Sequence, residues 1–133
     1  MNLHYSGKFT STVTLPLLLL AGMTATAHHS NSQFEVLKVE VMTGVVTGWE
    51  WSNPHTWIRL AIDDGKGGKT EWAMEGRAPG VLSRAGWTPK ILKPGDTVTV
   101  HYSPAKDGTR FGMIARVTLA DGTVLANAPP RVD

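Results

Sequence analysis

The chain has 133 residues, 13 Lys and Arg against 11 Asp and Glu, 41% apolar residues and no cysteine. That is room for one domain of ordinary globular composition. The missing cysteine excludes a disulfide framework, thiolate metal or iron–sulfur ligation, a cysteine nucleophile and a lipid anchor on an N-terminal cysteine. The formal charge of +2 argues against a strong polyanion binder. The basic isoelectric point reflects a small excess of cations, not a basic field.

Residues 1–27 read as a signal peptide. Lys8 marks a cationic start, with His4 adding charge only at low pH, and an apolar run extends from Val13 through Leu17-Leu18-Leu19-Leu20 to Ala21. Ala25-Thr26-Ala27 then supplies the small-x-small cleavage pattern. The run falls short of the roughly 20 apolar residues that a spanning helix needs. The alternative is an uncleaved membrane anchor. Cleavage after Ala27 predicts a periplasmic or secreted protein with no stable membrane anchor, starting at His28 and followed by His29. The expected organisation is a single domain over 28–126 and a flexible tail over 127–133.

From Glu35 to Trp51 the odd positions Val39, Val41, Val45, Trp49 and Trp51 carry most of the bulk. This period of two predicts a long strand with that face buried and Gly44 and Gly48 on the other. Glycines at such places also suit a bend or a bulge. Ser52-Asn53-Pro54 interrupts it. A second strand is predicted from about His55 to Ile62, with Ile58, Leu60 and Ile62 inward and Trp57, Arg59 and Ala61 outward. Asp63-Asp64-Gly65-Lys66-Gly67-Gly68 has the composition of a hairpin loop. A third strand follows over about Thr70 to Glu75, where Trp72 and Met74 alternate with Glu71, Ala73 and Glu75.

The period then changes. Pro79 suits a first helical turn, Val81, Leu82 and Ala85 have helical spacing, and Gly86 stops it, so a helix is predicted over 79–85. Leu92-Lys93-Pro94-Gly95-Asp96 turns the chain into a strand at Thr97 to Tyr102, with Val98, Val100 and Tyr102 on one side. A fifth strand is read with Phe111, Met113, Ala115, Val117 and Leu119 on one face, before Asp121-Gly122 turns into Thr123–Leu125. Three strands, a short helix and two strands predict an all-β fold: a small five-stranded OB-like barrel with a helix between strands three and four. Closure would also protect the sheet edges. A small β-sandwich is the alternative.

These elements carry a resemblance. Ala27-His28-His29-Ser30, Gly44-Val45-Val46 leading to Trp49-Glu50-Trp51-Ser52-Asn53-Pro54-His55-Thr56-Trp57, then Trp72-Ala73-Met74-Glu75, Leu82-Ser83-Arg84-Ala85-Gly86-Trp87 and Leu92-Lys93-Pro94-Gly95-Asp96 together resemble a family of small exported bacterial proteins catalogued as a domain of unknown function. The resemblance spans nearly all of the chain after the leader, and Trp-x-Asn-Pro-His is its most specific element. It implies an exported single domain and transfers no catalytic residues.

The sharpest chemical candidate is the new amino terminus. The α-amine and Nδ1 of a first-position histidine, His28, can chelate one metal ion, and a further imidazole would complete a three-nitrogen, T-shaped set. Nitrogen-rich tetragonal geometry suits copper(II). The further donor is His29, His55 or His101. The bland counterpart is a solvated leader, with His55 bonded inside its own turn and His101 pointing to solvent.

Five tryptophans, Trp49, Trp51, Trp57, Trp72 and Trp87, are dense for so small a domain. Filling the barrel is one role for them. The other is a ligand- or partner-binding surface at Trp49, Trp51, Asn53 and Trp57, which would hold an exported protein or a small ligand without metal. A nucleic acid is not expected, because export and a near-neutral charge remove the phosphate-binding term. Glu71 with Glu75, or Glu50, could act as a carboxylate pair. Acids on an outward strand face are more commonly solvated, no hydrolase, Walker, zincin or dinucleotide motif occurs, and Asp63-Asp64-Gly65 lacks the spacing of a calcium loop.

Overall fold

A parallel pairing between the third and fifth strands closes this chain into a barrel. The computed structural model describes residues 31–128. After a 3-10 turn at Asn31–Gln33, they form β1 (Glu40–Glu50), β2 (Thr56–Asp63), β3 (Lys69–Gly76), α1 (Pro79–Arg84), β4 (Thr97–Pro104), β5 (Phe111–Leu119) and β6 (Val124–Ala126). The antiparallel order is β3-β2-β1-β4-β5-β6, and β5 meets β3 in parallel over Ala73 to Glu75. The result is a closed five-stranded barrel with the short helix between β3 and β4, as the element order predicts; β6 adds a sixth strand on β5. The leader and the Pro129–Asp133 end of the expected tail lie outside the described residues. No helix among the described residues is long and apolar enough to cross a membrane.

The β2–β3 hairpin follows its sequence pattern throughout. Ile58, Leu60 and Met74 are fully buried, while Trp57, Arg59, Ala73 and Glu75 lie half-buried on the outer face. Its loop is held by Asp64, whose Oδ1 accepts the backbone N–H groups of Lys66 and Gly68 at 2.8 and 2.9 Å. Those bonds keep the carboxyl below the usual carboxylate range.

Strands β1 and β5 correct a face assignment. Val39 and Val41 are not buried but 56% exposed, and Met42, Gly44 and Val46 point inward instead. The register against β2 slips between Val46 and Gly48, so the inward parity changes and Trp49 and Trp51 pack on the core after all. Gly44 is not an outward filler: a Cβ there would press on Ile62 and stand 3.1 Å from the Ala61 carbonyl oxygen. On β5, Gly112 and Ile114 face inward and then Val117, because Ala115 is the extra residue where His101 pairs Arg116 and Tyr102 pairs Ile114. A bulge adds one residue to one strand, and one residue exchanges the two faces.

Helix α1 ends as read, with Gly86 at φ +89°. Beyond it the Trp87 side chain plugs the barrel beside Leu82. On β4 Tyr102 is buried, but its hydroxyl reaches out to donate to Glu40 Oε2 at 2.9 Å. Lys38 and Tyr102 hold the Glu40 carboxyl below its ordinary range. Burial, followed by that carboxylate, pushes the Tyr102 phenol well above the ordinary tyrosine value. A raised folded value means that this contribution to stability is complete below the unfolded phenol's pKa, near 10, and is lost as pH rises above it. In a chain starting at His28, Tyr102 is the only tyrosine. Its tyrosinate absorbance should therefore rise only with loss of circular dichroism; ionisation near pH 10 in a folded protein would refute this.

Candidate functional site

His55 follows the Ser52–Pro54 turn, in which the Asn53–Pro54 peptide is cis, and directly precedes β2. Hairpin register sets Trp57 opposite Glu75 and Thr56 opposite Gly76, which brings the Glu75 carboxylate up to the imidazole. His55 Nδ1 lies 2.7 Å from Glu75 Oε1, with 29% and 13% of the two side chains exposed. In the neutral imidazole, an Nδ1–H that donates to the carboxylate places the ring's lone pair on Nε2.

The pair lines a cleft of about 480 Å³ together with Gln33, Phe34, Pro54, Arg77, Met113 and Asn127. Side-chain-to-backbone hydrogen bonds tie the residues around it. Thr56 Oγ1 donates to the Arg77 carbonyl at 3.0 Å, and Asn127 Oδ1 accepts the Arg77 N–H at 2.9 Å. The Asn127 amide also donates to the Ile114 carbonyl at 2.6 Å, while its own N–H bonds the carbonyl of the bulged Ala115 at 3.0 Å. Asn127, the first residue of the expected tail, is thus 8% exposed. Gly76 leaves the room this needs, since a Cβ there would meet Thr56 Oγ1.

The other candidates separate. His101 sits on the outer face of β4, between Val41 and Arg116 in register, with the Arg116 guanidinium 3.3 Å from its ring nitrogens; it does not line the His55 cleft. His28 and His29 lie outside the described residues. Among the described residues no three His, Asp or Glu side chains gather as a metal-binding group.

Trp49 stacks on Trp87 at 5.6 Å and contacts Trp51 at 5.4 Å, so Trp49 and Trp51 pack on the barrel core. The Trp49 Nε1 is buried without a hydrogen-bond partner among the described residues. Trp57 lies outside and stacks on Phe111 at 5.4 Å, which in turn contacts Phe34 at 5.0 Å. Asn53 is exposed in the turn. Trp49 and Trp51 are thus partly buried against the core, whereas Trp57 packs on Phe111 outside it. Of the acids, Glu50 meets Arg59 at 3.3 Å, Glu75 meets His55, and Glu71 is exposed.

Sequence reading missed Glu75 as the partner of His55, and with it Gln33, Arg77, Met113 and Asn127. Glu75 could have been found: counting outward from the hairpin loop pairs Lys69 with Asp63 and arrives at Glu75 opposite Trp57. Nothing local announces Asn127.

No curated protein matches this sequence. The model of a family of unknown function (DUF6152) matches residues 17–115, which takes in β1 through β4, the helix and the first half of β5. The chain belongs to that family of unknown function.

Proposed function

We propose that this is an exported copper(II)-binding module, with His28 giving its α-amine and Nδ1 and His55 giving Nε2. The observation that carries this reading is that Gln33 and His55 line the same cleft. His28 stands five residues before Gln33. At about 3.3–3.6 Å per extended residue, that length spans roughly 17 Å, enough to return along the cleft to His55. Glu75 has the place of the carboxylate that commonly orients a metal-binding imidazole. His55 is the better third donor than His101, whose neighbour Arg116 would repel a cation.

Mass spectrometry of the exported protein should find His28 first. Copper titration should then show one tight equivalent with the axial electron paramagnetic resonance spectrum of a nitrogen-rich site. Acetylating the amine should abolish it, and His55→Gln should weaken it while His101→Gln leaves it unchanged. Glu75→Gln should weaken it by about 10–100-fold and alter the hyperfine splitting without unfolding the protein. A different first residue, or equal affinity in the acetylated protein or in a free peptide of residues 28–33, would remove the proposal.

A further inference from the structure

We propose that the same cleft also takes a soft monovalent ion, copper(I) or its stand-in silver(I), on Met113 Sδ and His55 Nε2. This rests on the preceding reading only for His55 as a metal donor. Met113 is the direct partner of Glu75 where β5 meets β3, and Glu75 holds His55, so one carboxylate places the thioether strand and the imidazole side by side. Both residues line the cleft.

The methionines differ in what they can do. Met74 is fully buried and Met42 packs on the core, whereas Met113 is half-exposed on the outer face of β5. A thioether selects copper(I) over copper(II), and imidazole serves both. The charged residues that line the cleft are Glu75 and Arg77. With the carboxylate already committed to His55, Arg77 opposes a monovalent ion less than a divalent one. The donors thus divide by hardness: amine and imidazole for copper(II), thioether and imidazole for copper(I). The competing role for Met113 is apolar cover alone, since methionine fills irregular surfaces well.

The exported protein labelled with ¹³C in its methionine methyl groups separates the two. Silver(I) should shift the Met113 methyl resonance, saturating at one equivalent, and leave those of Met42 and Met74 in place. Met113→Leu nearly conserves volume, so the fold should persist. It should lose the saturable silver shift, read on the His55 ring, while binding copper(II) as the parent does. His55→Gln should lose silver, and acetylating the amine should leave silver binding intact. An unmoved Met113 methyl at one equivalent, or unchanged silver affinity in Met113→Leu or His55→Gln, would overturn the proposal. Copper(II) binding that survives acetylation beside normal silver binding would overturn only the copper(II) reading.

Discussion

Trp87→Ala should destabilise the domain by about 3–5 kcal/mol, the range for deleting a buried tryptophan side chain. Trp87 is 2% exposed and lies where the chain leaves α1. Three contacts meet in its indole. The ring packs beside Leu82, stacks on Trp49 at an interplanar angle of 29°, and its Nε1 donates to the Ala126 carbonyl at 2.7 Å. Removal would open a cavity between helix and barrel and untie β6 together. For a domain of about 100 residues each kcal/mol moves the midpoint by about 4–8 °C, so the thermal midpoint should fall by at least about 12 °C. Trp87→Phe keeps an aromatic face but loses the indole bond, and should lie between the two. A loss below about 1 kcal/mol in Trp87→Ala, by denaturant unfolding, would show that the plug is dispensable.

Asn127→Ala should cost about 2–6 kcal/mol, because two backbone groups lose their side-chain partner at once and each such loss costs about 1–3 kcal/mol. The Arg77 N–H and the Ile114 carbonyl belong to different parts of the barrel, and Asn127 is the clamp between them. Hydrogen exchange should report it directly: the Arg77 amide should lose protection first, and the cleft below His55 should loosen with it. Asn127→Asp distinguishes the two bonds. Its carboxylate can still accept from Arg77 but cannot donate to Ile114, so it should be less stable at neutral pH than in acid, where the protonated form can donate. Unchanged Arg77 protection in Asn127→Ala would contradict the clamp.

These two residues mark where sequence reading stops. Trp87 was legible as a ring that could fill a core, from its size and its place after a helix stop. The sequence places Asn127 at the start of a tail, since an asparagine ahead of two prolines has no local reason to be buried. Its partners lie 50 and 13 residues away in the chain. Only the folded barrel brings them within reach.

The proposed copper(II) donors divide in the same way. His28, His29, His55 and His101 can be named from the chain, but their grouping cannot. The structure sets His101 beside a guanidinium and His55 beside a carboxylate, in a cleft that also receives Gln33. Tryptophan density suggested one aromatic turn, yet Trp49 and Trp51 fall on one side of the barrel wall and Trp57 on the other. The β1 slip before Gly48 and the turn after Trp51 produce that division.

A chain of 133 residues without cysteine excludes thiol chemistry by composition alone. Element order and glycine–proline punctuation determined a five-stranded barrel with one helix, because both are local properties of the chain. The β2–β3 hairpin was legible in full, since its period runs unbroken to a tight loop. Tertiary structure alone decided which way β1 and β5 face, because a single inserted residue exchanges inside and outside while leaving composition and spacing almost unchanged. It alone joined the His55–Glu75 pair to Met113 and Asn127, because barrel closure brings β3 against β5 and no local pattern encodes a contact made by closure.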